Sequence, residues 1–456
     1  MHNAITFGGG ITESVMHPLV LAMLLLAIAM IAVLPPKKVI IPVLVTVFLV
    51  PLPQQLYIAG VHLFVLRIII LCGLLRCLTV PKSGRASRLA GGWNSVDSAF
   101  SLYILFQAAA TFISTPSSDA FVNQSGMILD FLGGYILLRV LIQVEADMAT
   151  AIKSLALVAV VVATGMLIEQ KNMLNIFGLL KGVSLVPEVR DGRIRSQGVF
   201  QHALTAGAFA AAAVPLFVLI WKNRSSRIVA IIGVVAATIM AFTTGTSTSV
   251  LSFFSGFLAM FSWPLRNRMR TVRWVFVGIL AALSVVMKAP VWFIIAHIDV
   301  TGSSSSYQRA LLVDQFIGRF WQWWLLGSNT NTWGWDMWDV QNQFVAVGAA
   351  GGLAALIAFI LVISRSFSRL GNAMKSSKSV REQWVFWLLG AALFVHIVAF
   401  FGVNFFDQVR FIWCALIAMI IAVTVPSVAV SPAVSSATTA PRKLGSREKR
   451  PVQAIR

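Results

Sequence analysis

Arginines in two long polar segments are the side chains of this 456-residue sequence that are best suited to bind an anion. Arg193 and Arg195 alternate in the first segment, so they point to the same side if the chain is extended there. Arg309 and Arg319 lie in the second segment. Guanidinium groups donate paired hydrogen bonds that fit the oxygens of a phosphate or diphosphate. The pattern predicts an anion site, and the alternative for the first segment is a solvated loop with a local Arg–Asp pair.

The second segment also contains a closely spaced acidic pair, Asp336 and Asp339. At a spacing of i and i+3 the two carboxylates can share a helix face, where they would act as a base or bind a cation. A structural role is the alternative for this short pattern. Trp333, Trp335 and Trp338 surround the pair, and they either border a groove for a sugar or belong to the aromatic belt at a membrane interface.

A helix is predicted just before these residues. Four consecutive serines at 303–306 provide an N-cap ahead of Tyr307, and the pattern from there to about Trp324 is amphipathic. We expect this helix to lie on the membrane surface with its polar stripe turned outward or toward a cavity. The polar stripe consists of Gln308, Gln315, Arg319 and Gln322.

The composition shows what kind of scaffold holds these segments. Hydrophobic residues make up 58% of the chain and charged residues 11%, which excludes an ordinary soluble protein. The net charge of +20 does not indicate nucleic-acid binding here, because short cytoplasmic loops of membrane proteins collect Lys and Arg. Apolar runs predict an all-α, polytopic transmembrane bundle of about 12–13 spans.

The basic residues predict the orientation of this bundle. Each cluster of Lys and Arg follows an odd-numbered span, so all clusters share one side, which should be the cytoplasm together with the C-terminus. The two polar segments then lie outside. The predicted regions are N-terminal helices at 1–169, a first outer loop at 170–201, central helices at 202–288, a large outer loop with the amphipathic helix at 289–342, C-terminal helices at 343–426 and a disordered basic tail at 427–456.

Three ionisable residues fall at membrane depth, namely Arg67, Asp130 and Arg139. Charged groups are costly in lipid, so they normally face protein or water. The three residues fit either a polar pathway for an anionic ligand or structural ion pairs with other helices.

A resemblance to a known family rests on the residues after the second segment. Gln341-Asn342, followed by nine residues and Gly352, resembles the His-Asn, nine residues, Gly signature of the bacterial O-antigen ligase and polymerase superfamily. The resemblance covers roughly 190–425. Other stretches similar to the family are Tyr307-Gln308-Arg309, Leu325-Leu326-Gly327 and Arg195 with Gly198-Val199-Phe200-Gln201-His202.

The resemblance implies an enzyme of the bacterial cytoplasmic membrane that polymerises or ligates saccharides carried on undecaprenyl diphosphate. It implies that the donor diphosphate is held by Arg193, Arg195, Arg309 and Arg319, outside the membrane. Its partners would be this donor, a glycan or lipid acceptor, membrane lipid and other polysaccharide assembly proteins, but no nucleic acid. We expect no metal or cofactor, because a diphosphate leaving group requires neither.

The catalytic residues implied are Gln341 and Asn342, with Asp336 and Asp339 as further candidates. Family ligases carry His where this sequence has Gln341, and an amide cannot act as a general base near neutral pH. This departure favours a polymerase-like or divergent member, or a base elsewhere. A flippase for lipid-linked saccharides and a peptidoglycan-type membrane glycosyltransferase are the alternative functions.

Overall fold

The structure, a computed structural model, describes residues 14–58, 61–79, 88–297, 305–334, 337–406 and 408–425. Asp336, Trp335 and the tail at 427–456 lie outside these residues, as do Lys82 and Arg85 of one basic cluster. The described chain is almost entirely helical, and its only sheets are two antiparallel hairpins.

The first hairpin pairs β1 (Gln55–Ile58) with β2 (Val61–Phe64), and the second pairs β3 (Glu188–Arg190) with β4 (Arg193–Arg195). The helices are α1 (Pro18–Val33), α2 (Ile40–Leu49), α3 (Val65–Thr79), α4 (Ser95–Ser114), α5 (Ser118–Ile128), α6 (Gly134–Leu141), α7 (Glu145–Asn172), α8 (Ala203–Ile220), α9 (Arg227–Thr243), α10 (Ser247–Phe261), α11 (Met269–Val286), α12 (Ile294–His297), α13 (Ser305–Gly318), α14 (Phe320–Trp323), α15 (Gln343–Ser376), α16 (Val380–Phe400) and α17 (Val409–Thr424).

Eight helical segments of the described chain are long and apolar enough to cross a membrane. The helices α1, α10 and α17 are apolar but shorter. Together they indicate an all-α, multi-pass membrane protein, as the sequence predicts. The eight segments are Ser95–Ser114, Ser118–Leu141, Glu145–Asn172, Ala203–Ile220, Arg224–Thr243, Trp263–Val286, Gln343–Ser376 and Val380–Phe400.

The hydropathy of the sequence predicts a membrane span at 56–78, and this prediction is wrong over the first part of that range. The first hairpin occupies that part, and α3 has only 15 residues. Tyr57, Ile58 and Val61 are β-branched or aromatic residues, which fit a pleated, half-buried surface better than a helix. A hydropathy window cannot separate these two cases because both consist of apolar residues.

Successive long helices run in opposite directions, so the bundle has two ends. We call the hairpin end the described residues of 50–64, 173–202, 320–342 and 401–408. Hydrogen bonds join the first, second and fourth of these stretches. The Gln54 side chain donates to the carbonyl oxygen of Lys181 at 3.0 Å, and the Gln408 side chain donates to that of Val50 at 2.9 Å. The basic end comprises residues 34–39, 88–94, 221–226, 262–268 and 377–379, which include described members of the basic clusters.

The three ionisable residues at membrane depth are held in ion pairs. Arg67 Nε donates to both carboxylate oxygens of Asp130 at 3.1 Å. Arg139 Nε donates to Asp97 Oδ1 at 2.9 Å, and both side chains are about 1% exposed. The hydroxyl of Tyr135 donates to the same Asp97 oxygen at 2.6 Å. Of the two alternatives left open by the sequence, the contacts are those of structural ion pairs.

Helix α15 is broken near its start at Gly352, whose φ of 70° and ψ of −173° are not helical. The Leu353 N–H donates to the carbonyl oxygen of Trp324 at 2.8 Å instead of to that of Ala349. The Ala349 oxygen accepts from Ser328 N at 2.8 Å. The break therefore exchanges one hydrogen bond within the helix for two that fasten the 324–328 segment to it.

Candidate functional site

An open cavity of about 440 Å³ lies at the hairpin end. Its walls come from four parts of the chain: the start of α8, the loop between α14 and α15, the first turns of α15, and the connection between α16 and α17. The start of α8 directly follows the first polar segment of the sequence, and the loop between α14 and α15 belongs to the second. The side chains that give the cavity its chemical character are His202, Thr330, Trp338, Asp339, Gln341, Asn404 and Phe406.

Gln341 joins two charged residues at the wall of this cavity. Arg309 Nη2 on α13 donates to Gln341 Oε1 at 3.0 Å. The amide nitrogen of Gln341 in turn donates to Asp339 Oδ2. Both ends of the amide are therefore used, and Gln341 holds a cation and a carboxylate at fixed places beside the cavity. Arg309 itself is buried, and it is connected to the cavity through its hydrogen bond to the lining residue Gln341.

Arg319 has a different position from Arg309. Its Nε donates to Gln315 Oε1 at 2.8 Å, which confirms that these two residues share the predicted polar stripe. Its Nη2 donates to the carbonyl oxygen of Trp333 at 3.2 Å. The predicted helix ends at Gly318, and α14 follows as a separate short turn. Arg319 therefore holds the loop that forms the wall, and it is not among the residues that line the cavity.

The described tryptophans of the second segment have two different environments. Trp333 is buried against Phe316, with 6.1 Å between the ring centroids, and Phe316 stacks on Trp323 at 3.9 Å. These rings form a small hydrophobic cluster under the loop. Trp338 is 68% exposed and lines the cavity. It is the tryptophan among the described residues that line the cavity.

Asn342 caps the helix that begins beside the cavity. Its side-chain oxygen accepts from the backbone N–H groups of Phe344 at 3.0 Å and Val345 at 3.2 Å. The residue is buried, which fits an N-cap better than a ligand contact. The Gln341-Asn342 pair therefore combines a residue of the cavity wall with the N-cap residue of α15.

Arg193 and Arg195 lie on β4, extended as the alternation of the sequence predicts. Arg195 Nη1 donates to both carboxylate oxygens of Glu188 at 3.1 Å, whereas Arg193 is exposed. The local ion pair of the alternative interpretation is therefore present, with Glu188 rather than an aspartate as the partner. Neither arginine is among the residues that line the cavity.

Glu169 is a buried residue of this region that the sequence analysis missed. It lies in the last turn of α7 and accepts from the backbone N–H groups of Gly198 at 2.9 Å and Gln197 at 3.2 Å. The Asn175 side chain donates to the Gly198 carbonyl oxygen at 2.8 Å. These bonds fix the turn that leads to His202. An acidic residue at the end of an apolar run is the signal that could have identified it.

His202 is the second residue that the sequence analysis missed. It precedes α8 in an extended conformation, with φ −143° and ψ 150°, and its side chain is exposed to the cavity. Its ring meets the ring of Phe406 edge-on, with 5.4 Å between centroids. Its position at the end of a family-like stretch was visible in the sequence, but its presence in one cavity with Gln341 and Asp339 depends on tertiary structure.

Among the described residues, no group of three or more His, Cys, Asp or Glu side chains is arranged to hold a metal ion. Comparison with known protein families finds no matching family, and comparison with curated proteins finds no match. Fold and site thus define a multi-pass α-helical membrane protein with a polar cavity at one end of its bundle. Its activity has to be argued from that cavity.

Proposed function

We propose that the protein is a membrane glycosyltransferase of cell-surface polysaccharide biosynthesis. It polymerises or ligates oligosaccharides carried on undecaprenyl diphosphate, on the outer side of the bacterial cytoplasmic membrane. The observation that carries this proposal is the chain of hydrogen bonds from Arg309 through Gln341 to Asp339 at the wall of an open cavity. The resemblance to the O-antigen ligase and polymerase superfamily supports it.

The chemistry of the cavity suits such a donor. Transfer breaks the bond between the anomeric carbon and the diphosphate, so negative charge develops on the leaving oxygen. A fixed cation in a partly dry site stabilises this charge strongly, because little reorganisation is needed during the reaction. Arg309 is that cation, and Trp338 provides an aromatic surface for the saccharide. Arg195 would contribute only after leaving Glu188.

The placement of the cavity also supports the proposal. The cavity lies at the hairpin end, whereas Lys37, Arg88, Lys222 and Arg266 lie at or beside the basic end. By the positive-inside rule the basic end faces the cytoplasm. The cavity then opens outside, where lipid-linked saccharides are joined.

The proposal is tested by deleting the gene and restoring it with variants, with surface polysaccharide resolved on a gel. Arg309→Ala should reduce polymer by about 100-fold or more, the range for loss of a group that stabilises transition-state charge. Arg309→Lys keeps the charge but loses the forked geometry, so it should retain part of the activity. Arg381→Ala is the control, because Arg381 is exposed and forms a 3.6 Å ion pair with Glu145.

Each outcome of this experiment has a distinct meaning. After gene deletion, loss of long chains with short units still attached identifies a polymerase. Long chains left on the carrier lipid identify a ligase. An unchanged ladder in the Arg309→Ala strain would remove that residue from the mechanism, and an unchanged ladder after gene deletion would reject the proposed function.

A peptidoglycan-type membrane glycosyltransferase is the second candidate. The observation that favours it is Asp339, a carboxylate that lines the cavity, because enzymes of that type depend on an aspartate in an outer loop. In the deletion strain, shorter peptidoglycan strands with unchanged surface polysaccharide would favour this second candidate.

A further inference from the structure

The start of α8 brings an imidazole to the same cavity as Asp339 and Gln341. We propose that His202 is the general base of the reaction, in place of the histidine that Gln341 replaces. This inference rests on the proposed function and assigns a catalytic residue to it. It arises from the cavity, to which His202 and Gln341 contribute from segments about 140 positions apart in the sequence.

The backbone of His202 is fixed while its ring remains accessible. Its carbonyl oxygen accepts from Thr205 N and Ala206 N, both at 3.2 Å, in the first turn of α8. Phe406 supports one edge of the ring. The segment just before it is held by Glu169 and Asn175. The ring is therefore presented to the cavity from a rigid support, as a catalytic group requires.

The other lining groups are less suited to accept a proton. Gln341 is an amide, which cannot be a base, and both of its ends are hydrogen-bonded. Asp339 is already engaged as the acceptor of a hydrogen bond from Gln341. Imidazole is the side chain that exchanges protons most readily near neutral pH. His202 is the imidazole among the described residues that line this cavity.

The step balances without a further reactant. A ring nitrogen of His202 removes the proton from the acceptor hydroxyl, and the oxygen forms a bond to the anomeric carbon of the donor. The bond between that carbon and the diphosphate oxygen breaks, and its electron pair leaves with the diphosphate, whose charge Arg309 stabilises through Gln341. The proton on His202 then passes to water or to the released diphosphate, which restores the free base.

The decisive comparison is His202→Glu with His202→Gln, because the two replacements have nearly the same shape and only the first can accept a proton. Both are expressed in the gene-deletion strain, and polymer is measured on a gel. We expect His202→Gln to reduce polymer about 100-fold or more, the range for general-base catalysis. We expect the His202→Glu variant to form about 10-fold more polymer than the His202→Gln variant. Equal polymer from the two variants would overturn the proposal, whether both are active or both inactive.

A binding measurement distinguishes a general base from a residue that binds the donor. The full-length protein in lipid nanodiscs is titrated with undecaprenyl diphosphate, the carrier without its saccharide. His202→Gln should bind it with a Kd within about twofold of the unchanged protein, since general-base catalysis acts on the chemical step. A parallel loss of binding and polymer would overturn the assignment as a base.

His297→Gln is the matched control. His297 is also exposed, but it lies at the end of α12, and its ring contacts the Phe293 carbonyl oxygen of its own helical segment. This variant should form normal polymer. If gene deletion removes the polymer but His202→Gln does not, the inference fails and the proposed function stands. If gene deletion leaves the polymer unchanged, the proposed function itself fails.

Discussion

Glu169 shows how a single side chain shapes the site from outside it. Its carboxylate binds two backbone N–H groups of the turn that precedes His202, and it is fully buried. Buried N–H groups that lose their acceptor cost about 1–3 kcal/mol each. The stability of this turn, and with it the position of the imidazole, therefore depends on the oxygens of one residue.

We expect Glu169→Ala to lower the thermal unfolding temperature and to reduce polymer, because Gln197 N and Gly198 N lose their acceptor. Glu169→Gln retains one oxygen and should lose clearly less stability. Unfolding is followed by tryptophan fluorescence of the purified protein in detergent. Glu145→Ala, an exposed change at the other end of α7, should leave the melting curve unchanged. If the Glu169→Ala variant and the parent protein unfold at the same temperature, Glu169 does not stabilise the turn.

At the scale of residues, the sequence predicted part of the site. It singled out Arg309, Gln341 and Asp339, and the structure joins these three by hydrogen bonds. It did not identify Glu169 and His202 as site residues, because their partners are distant in the sequence. Side-chain types predict which chemistry is available, but the meeting of distant segments is a property of the fold.

The break in α15 is the feature at the scale of elements that shapes the cavity wall. Gly352 occupies a backbone region that is essentially restricted to glycine. A Cβ at this position would lie 2.5 Å from the carbonyl oxygen of Leu325. The glycine of the family-like signature is therefore explained by the close approach of the 324–328 segment to the helix.

Gly352→Ala should destabilise the protein by about 1–3 kcal/mol from backbone strain alone. The contact with Leu325 adds to this cost, so a clear fall in the melting temperature and a loss of polymer are expected. Gly371→Ala, in the same helix with open space around it, should be neutral or stabilising by up to about 1 kcal/mol. Similar melting curves for the two variants would show that the break is not required.

The elements themselves were predicted unevenly. Long apolar helices such as α7 and α8 follow directly from hydropathy, because roughly 20 apolar residues are needed to cross a bilayer. The first hairpin does not follow from hydropathy, since the apolar residues of its strands resemble the start of a membrane span. The break at Gly352 was also invisible, because the surrounding residues form a helix on both sides and only tertiary contacts stabilise the interruption.

For the whole molecule, the essential property is that both polar segments reach the same end of the bundle. The Ser196 N–H donates to the Thr243 carbonyl oxygen at 3.1 Å, and His202 shares the cavity with Gln341. The sequence predicted this common side from the distribution of basic residues. It could not predict that His202, Asp339 and Gln341 line one cavity, because hydropathy gives the side of a loop and not its lateral position.

Topology reporters test the orientation of the whole molecule. Alkaline phosphatase fused after Asp191 or after Thr332 should be active, because we expect both positions to lie outside the cytoplasm. Fusions after Asn223 or Ser377, at the basic end, should be inactive as phosphatase and fluorescent as green fluorescent protein. Opposite results for positions 191 and 332 would contradict the shared end and the site built on it.

The two hydrogen bonds gained at the break in α15 have a consequence for how a ligand meets the protein. Separating the 324–328 segment from the helix would remove the partners of the Ala349 oxygen and the Leu353 N–H, which costs about 1–3 kcal/mol for each group that stays buried. That part of the cavity wall is therefore preorganised in the empty protein. A substrate entering it has little protein ordering to induce, so more of its contact energy is retained as affinity.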